Sequence, residues 1–186
     1  MSVLTIQHES GEGPKEVYKD YEQIAGKLEE AGIRFECWQT KSPLKPDASQ
    51  EEVLKAYRDS VERIMQMYGF QSVDVIGLHP EHPDRAQLRA KFLNEHVHSE
   101  FEVRFFVEGS GLFYLHLGDK VYGVLCEKGD LISVPAGTPH WFDMGTAPSF
   151  RAIRFFTSQE GWVAQFSGSP IASQFADYDK YRSSHK

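Results

Sequence analysis

The chain has few cysteines, no long apolar run and no surplus of basic residues. Its two cysteines, Cys37 and Cys126, are far apart and fit no CxxC or zinc-finger spacing. We therefore expect two buried, reduced thiols rather than a disulfide framework. No stretch approaches the ~20 consecutive apolar residues that a membrane helix requires, so we expect no membrane partner.

Acidic residues outnumber basic ones, with 27 Asp and Glu against 20 Lys and Arg, and the net charge is −7. Proteins that bind nucleic acid through its phosphates need a basic surface, so we expect no nucleic-acid partner. The start of the chain, from Met1 to Ile6, has neither the basic segment nor the long apolar segment of a secretory signal. We therefore expect a cytoplasmic protein.

Length and patterning predict a single domain over residues 1–186. This length is enough for one domain with a core and too short for two ordinary domains. Residues 1–91 carry helical patterns and short strands, and residues 92–157 are short strands separated by glycine turns. Residues 158–186 form a C-terminal segment, which we expect to be loosely held from Gly168 onward. Evenly spaced strands with such turns are typical of an antiparallel barrel or jelly roll.

Two amphipathic helices are predicted in the first part of the chain. The first is predicted to begin at Pro14 and to end at Gly32. The second is predicted to begin after a cap at Asp47 or Ser49 and to end at Gly69. Their apolar stripes have helical spacing. The stripes consist of Val17, Tyr21, Ile24 and Leu28, and of Leu54, Tyr57, Val61, Ile64, Met65 and Tyr68.

The strand from Phe101 to Val107 indicates how these helices pack. Its odd positions are all apolar, and successive side chains of a strand point to opposite faces. The odd face therefore needs a cover if the even face looks into a barrel. We expect the two helices and their neighbouring strands to provide that cover.

Four side chains combine into a candidate metal site. His96 and His98 are two residues apart, so both imidazoles point the same way on an extended strand, and Glu102 keeps the same parity. His140 lies at the end of a later strand, which antiparallel pairing can bring alongside. Imidazole nitrogens and a carboxylate oxygen are ligands of divalent ions. Such a set leaves two positions of a six-coordinate ion open.

The spacing resembles the two motifs of the cupin superfamily. The first motif, Gly-x5-His-x-His-x3-Glu-x6-Gly, is matched except at its leading glycine, where Ala90 stands. The second, Gly-x5-Pro-x-Gly-x2-His-x3-Asn, is matched except at its last position, where Met144 stands. The resemblance implies a mainly β protein with a cupin-type double-stranded β-helix, a jelly-roll barrel, and N-terminal helices on its outer face. The matching residues are His96, His98, Glu102, Gly109, Gly129, Pro135, Gly137 and His140.

A narrower resemblance, over about residues 90–165, is to the acireductone dioxygenase family. It implies that one Fe(II) or Ni(II) ion per chain cleaves 1,2-dihydroxy-3-keto-5-methylthiopentene with O2 in methionine salvage. The iron form of the family yields formate and 4-methylthio-2-oxobutanoate, and the nickel form yields formate, CO and 3-methylthiopropanoate. Nothing in the sequence selects between the metals, and we expect a monomer. The resemblance is carried by residues 95–104, 109–113, 127–130 and 135–142 and by the surroundings of Arg154 and Trp162.

The resemblance also suggests residues that act on the substrate. Arg104 is expected to face inward and to bind the enediolate, the alternative being a structural ion pair with a carboxylate such as Glu95 or Glu100. Arg154 is a second candidate for substrate binding, the alternative being an outward position on its late strand. Glu95 is a candidate catalytic residue, as a partner of His96 or of the substrate. The pocket walls are expected to be Phe92, Phe106, Phe142 and Trp162, whose alternative role is core packing.

Two other functions remain alternatives. A cupin-fold sugar isomerase or epimerase would use the same metal ligands but would need a more polar pocket. A non-enzymatic metal-binding cupin would act as a sensor or storage protein. The remaining histidines lack comparable surroundings, and we expect structural or surface roles for His8, His79, His82, His116 and His185.

Overall fold

The computed structural model describes residues 1–39, 44–45, 47–158 and 163–185, and it is mainly antiparallel β-structure, as the sequence predicted. The strands are β1 (Val3–His8), β2 (Glu16–Tyr18), β3 (Arg34–Cys37), β4 (Ser72–Leu78), β5 (His96–Val97), β6 (Glu102–Leu117), β7 (Lys120–Glu127), β8 (Asp130–Val134), β9 (His140–Asp143), β10 (Phe150–Phe156) and β11 (Gln165–Phe166). The helices are α1 (Tyr21–Glu30), α2 (Gln50–Ala56), α3 (Arg58–Tyr68), α4 (Arg85–Ala90) and α5 (Tyr178–Ser184), with a 3₁₀ turn at Ile171–Gln174.

Two sheets meet in the long strand β6. The first sheet has the order β11-β5-β9-β6-β7-β1-β2, and the second has the order β3-β8-β6-β10-β4. Gly109 lies where β6 passes from one sheet to the other, with φ +69°, and a Cβ there would come within 1.8 Å of the Ser149 carbonyl oxygen. Only glycine fits that bend. The pairing of the described strands does not close into a complete barrel.

Apolar side chains from both sheets fill the space between them. Phe113 of the first sheet and Phe106 of the second are fully buried there, and burial of such a side chain stabilises the fold by roughly 1.5–3 kcal/mol. Ile24 and Leu28 of α1 belong to the same core. The first helix therefore contributes to the core between the sheets, instead of covering the outer face as expected.

The second predicted helix covers the outer face of the second sheet. In the first part of β6, the odd positions Val103, Phe105 and Val107 pack against α2 and α3, which confirms the expected cover. Ser49 begins α2 with a reciprocal capping box, and Gly69 ends α3 with φ 71°. The predicted single helix is divided into two at Tyr57.

The N-terminal helix begins later than predicted. Pro14 does not begin it, and Val17 lies instead on β2, which pairs with β1. The helix starts at Tyr21, where the side chain of Asp20 accepts a hydrogen bond from the Gln23 backbone N–H. A side-chain cap satisfies an N–H group of the first turn, which proline at the predicted start does not do.

The C-terminal segment is well packed, so the expectation of a loosely held tail is wrong. Tyr178 and Tyr181 of α5 are buried against the outer face of the first sheet. The Tyr181 hydroxyl donates a hydrogen bond of 2.8 Å to the Gly123 carbonyl oxygen. Two tyrosines three residues apart form one apolar side of a short helix, which the polar composition of the tail conceals.

The two cysteines have different surroundings. Cys126 is buried between the sheets, whereas Cys37 is exposed at the end of the edge strand β3, so the expectation of burial is wrong for Cys37. Both are free thiols. Among the described residues, no helix combines the length and the apolar character needed to cross a membrane.

Candidate metal centre

The structure brings the four predicted ligand residues together. His96 of β5 lies opposite His140 of β9 in the sheet, and Glu102 begins β6 shortly after His98. One nitrogen or oxygen atom from each of the four residues lies within 4.8 Å of the others, and all four residues are buried. Four buried polar side chains that converge in this way need a shared cation or mutual hydrogen bonds to offset their burial.

Backbone carbonyl groups orient two of the imidazoles. His96 Nδ1 lies 2.7 Å from the Asn94 carbonyl oxygen, and His140 Nδ1 lies 2.7 Å from the Thr138 carbonyl oxygen. Because a carbonyl oxygen only accepts hydrogen bonds, each Nδ1 carries the proton and each Nε2 keeps its lone pair. Metal-binding histidines are commonly oriented in this way.

Two of the Nε2 atoms lie close to one oxygen of Glu102. Oε2 of Glu102 lies 3.0 Å from Nε2 of His140 and 3.2 Å from Nε2 of His98. The rings of His96 and His140 are 4.5 Å apart between centroids. Three imidazoles and one carboxylate are therefore arranged around a common point, as the ligand set of a divalent transition metal requires.

The surroundings of the cluster shift the pKa values of His96 and Glu102 toward the protonation states that bind a metal ion. Burial, together with the neighbouring His140, lowers the pKa of His96 to about 4. Burial alone would raise the pKa of Glu102, but Arg104, His140 and His98 hold that pKa well below its ordinary value. At neutral pH the cluster thus contains a neutral His96 imidazole and an ionised Glu102 carboxylate, the forms that bind metal.

Arg104 lies directly beside the cluster and is buried. Its Nε is 2.7 Å from Oε1 of Glu102, and its guanidinium carbon is 4.7 Å from the ring centroid of Phe142. The rings of Phe113 and Phe92 lie at 5.5 and 5.7 Å. The arginine faces inward, as expected, and its carboxylate partner is Glu102 rather than either carboxylate considered from the sequence.

The predicted aromatic wall is only partly brought to the site. Phe92 and Phe142 contact Arg104, whereas Phe106 packs in the core near Phe150, with ring centroids 6.2 Å apart. Trp162 lies outside the described residues. The sequence reasoning missed Phe113, because β6 has an extra residue at Val107 in its pairing with β10, and this bulge changes which positions of β6 face inward. No simple alternation continues through such an irregularity.

Arg154 lies opposite Arg104 on the neighbouring strand β10. Its guanidinium makes two hydrogen bonds to the Asp74 carboxylate of β4, of 2.9 and 2.6 Å. Asp74 was not identified from the sequence, because only the register of β4 against β10 brings it to Arg154. The role of Arg154 in substrate binding stays a prediction.

Glu95 is held by two side chains that the sequence did not connect with it. Its Oε2 is 2.8 Å from His116 Nδ1, and its Oε1 accepts a 2.7 Å hydrogen bond from the Ser167 hydroxyl. His116 Nε2 lies 2.9 Å from Glu9. Although burial lowers the pKa of His116, Glu95 and Glu9 raise it above its ordinary value. These contacts agree with the structural or surface role expected for His116.

Comparison with known proteins identifies relatives over nearly the whole chain. A family model described as the ARD/ARD' family matches residues 4–164. The acireductone dioxygenase of Methylococcus capsulatus is 55% identical over 181 residues, 97% of this chain and 97% of that protein. The acireductone dioxygenase of Pseudomonas fluorescens is 56% identical over 176 residues, 94% of this chain and 97% of that protein.

A solved structure has the same fold. The acireductone dioxygenase from Bacillus anthracis, with a cadmium ion in its active centre, superposes with a TM-score of 0.78 and 28% sequence identity. The match covers 89% of this chain and 98% of that one. It confirms the predicted cupin-type fold. Together with the four converging side chains, it also supports a metal-ion site in this chain.

Proposed function

The chain belongs to the acireductone dioxygenase family, and we propose that it cleaves 1,2-dihydroxy-3-keto-5-methylthiopentene with dioxygen in methionine salvage. The observation that carries this proposal is the buried group of three histidines and one glutamate with an arginine at its side. Relatives of more than 50% identity over nearly the full length bear the same family name.

We propose that His96, His98, Glu102 and His140 hold one Fe(II) or Ni(II) ion. Their donor set suits either ion, and intrinsic affinity rises from iron to nickel, so the supply in the cell decides which is bound. A metal ion held there would supply Lewis-acid chemistry for the reaction of the enediolate with O2. The iron form is expected to give formate and 4-methylthio-2-oxobutanoate, and the nickel form formate, CO and 3-methylthiopropanoate.

Arg104 is proposed to bind the enediolate. Its planar guanidinium offers several N–H donors in a fixed fork, which matches a pair of neighbouring oxygens. Its contact with Glu102 fixes the guanidinium next to the ligands. The rings of Phe92, Phe113 and Phe142 surround it and exclude water, which strengthens its interaction with an anion.

The alternatives fit the site less well. A sugar isomerase needs polar groups for many hydroxyls, whereas the described walls around Arg104 are phenylalanine rings. A non-enzymatic cupin does not require a buried cation beside the metal ligands. Oxygen uptake separates the dioxygenase from both alternatives.

The test is reconstitution of the purified protein with Fe(II) or Ni(II), followed by addition of the acireductone and O2. We expect about one metal ion per chain, oxygen consumption, and products that change with the metal. A fully metal-loaded protein that consumes no oxygen with the acireductone would overturn the proposal.

We also propose that the protein is a monomer, because all four proposed ligands come from one chain. Light scattering during gel filtration should then give a mass close to 21.2 kDa. A dimer mass would contradict this. The cytoplasmic location stays a prediction from the sequence.

A further inference from the structure

The short strand β11 places Phe166 on the face of the sheet that carries the histidines. Phe166 lies directly opposite His96, which in turn lies opposite His140. Directly opposed residues of an antiparallel pair project from the same face. Accordingly, the rings of Phe166 and His96 are 5.8 Å apart between centroids.

Phe166 is exposed although it borders a buried site. It is 57% exposed, whereas His96 beside it is 1% exposed and Phe142 across the site is 1% exposed. A large aromatic side chain left in water at the rim of a buried cluster offers apolar contact area to a ligand. Arg104, at 3% exposure, marks the inner part of the same site.

The strand β11 has only two residues, and one backbone hydrogen bond and several side-chain contacts next to it help to hold it in place. The Ser167 backbone N–H donates a 3.1 Å hydrogen bond to the Glu95 carbonyl oxygen, and its hydroxyl donates a 2.7 Å bond to the Glu95 carboxylate. The other carboxylate oxygen of Glu95 lies 2.8 Å from Nδ1 of His116, and Nε2 of His116 lies 2.9 Å from the Glu9 carboxylate. We call Glu9, His116, Glu95 and Ser167 the latch.

We propose that Phe166 determines specificity by contacting the methylthio end of the acireductone, and that the latch positions its ring. This inference rests on the proposed function. The enediolate end is anionic and belongs beside Arg104 and the ligands, so the apolar end of the same molecule extends toward the rim. Thioether sulfur atoms make favourable contacts with aromatic rings at about 5 Å.

The proposal gives Glu95 a role different from proton transfer. Both of its carboxylate oxygens are engaged, by Ser167 and by His116, and the side chain is only 5% exposed. In the latch it acts as a positioning residue, through Ser167 and the backbone of β11. The carboxylate and the serine should then act as a pair in mutational tests.

The first test compares wild type with Phe166→Ala on two substrates, the methylthio acireductone and an acireductone that ends in a methyl group instead. For the methylthio substrate we expect KM to rise about tenfold, in the range that one apolar group contributes to discrimination, with kcat and metal content unchanged. For the short substrate we expect little change in KM. An equal effect on both substrates, or no effect on either, would overturn the proposal.

Phe101→Ala is the matched control. Phe101 is also an exposed phenylalanine next to the ligand segment, at 37% exposure, but it packs on Tyr68 of α3, with ring centroids 5.1 Å apart. Its removal should leave the selectivity between the two substrates unchanged. A loss of selectivity equal to that of Phe166→Ala would show a general effect of weakened packing and would contradict the specific role.

The second test addresses the latch with Ser167→Ala, Glu95→Gln and the double variant. Each single change should lower the selectivity for the methylthio substrate, and the double variant should add little, because both act on one contact. The pH profile of kcat should keep its shape in Glu95→Gln. Loss of one limb of that profile would make Glu95 a proton-transfer residue and overturn its positioning role. Wild-type oxygen uptake, measured in the same series, tests the proposed function separately.

Discussion

Glu102 and Arg104 stand two residues apart on one face of β6, and 2.7 Å separates Oε1 of the first from Nε of the second. The other oxygen of the same carboxylate faces the imidazoles of His98 and His140. One carboxylate therefore joins the proposed metal ligands to the proposed substrate-binding cation. A divalent ion that shares the charge of Glu102 would leave the arginine better able to attract an anion.

This relationship predicts that Arg104→Ala keeps the metal but loses turnover. The three histidines and Glu102 remain in place, whereas the enediolate loses its cation. We expect kcat/KM to fall about 10²–10³-fold, as for removal of one preorganised charge-assisted donor. Elemental analysis and oxygen uptake measure the two quantities. Unchanged oxygen uptake would remove Arg104 from the mechanism.

The ligand assignment predicts the opposite pattern for the histidines. His96→Ala, His98→Ala and His140→Ala should each lose most of the bound metal and, with it, all dioxygenase activity. His79→Ala is the control, because His79 is exposed in the loop after β4 and should keep both. Full metal occupancy in any of the three ligand variants, by elemental analysis, would contradict the assignment of that residue.

Part of this site could be predicted from local alternation, which places Glu102 and Arg104 on one face of β6. His96 and His98 have the same parity in the sequence, but a bend at residues 99–100 separates β5 from β6, so their approach to Glu102 depends on the fold. What could not be predicted depends on register between distant segments. Asp74 reaches Arg154 only through the pairing of β4 with β10, and Ser167 reaches Glu95 only through β11.

The inner-face position of the Arg154 and Asp74 pair predicts an effect on substrate affinity. Arg154 lies opposite Arg104, and its charge adds to the positive potential on that face. We expect Arg154→Gln to raise KM severalfold with little change in kcat, since it removes attraction that the bound substrate and the transition state share. Steady-state kinetics at two salt concentrations measure this effect.

Arg63→Gln is the matched control for Arg154→Gln. Arg63 of α3 pairs with Glu36 of β3, and α3 packs on the outer face of the second sheet. A partly exposed pair of this kind contributes little to stability, in the range of 0.2–1 kcal/mol. An equal rise of KM in both variants would show a general charge effect and would contradict a local role for Arg154.

Asp130, a buried carboxylate outside the candidate site, is expected to make the stability of the fold depend on pH. Asp130 is 4% exposed, and burial raises its pKa to about 6 against the partial compensation of hydrogen bonds from the Glu127 backbone N–H and the Ser2 hydroxyl. The folded state thus binds this proton more tightly than the unfolded state does. The associated stability is complete below the unfolded pKa of about 4 and is lost as the pH rises through 6.

Replacing Asp130 with asparagine removes the cost of ionising it in the folded protein. Because one pKa unit corresponds to about 1.4 kcal/mol, we expect Asp130→Asn to raise the free energy of unfolding by about 1–3 kcal/mol at pH 8 and by much less at pH 5. Urea denaturation of the metal-loaded protein at both pH values measures this difference, with the exposed Asp119→Asn as control. An equal gain at both pH values would mean that the ionisation of Asp130 does not limit stability, and that the asparagine acts through packing or hydrogen bonding alone.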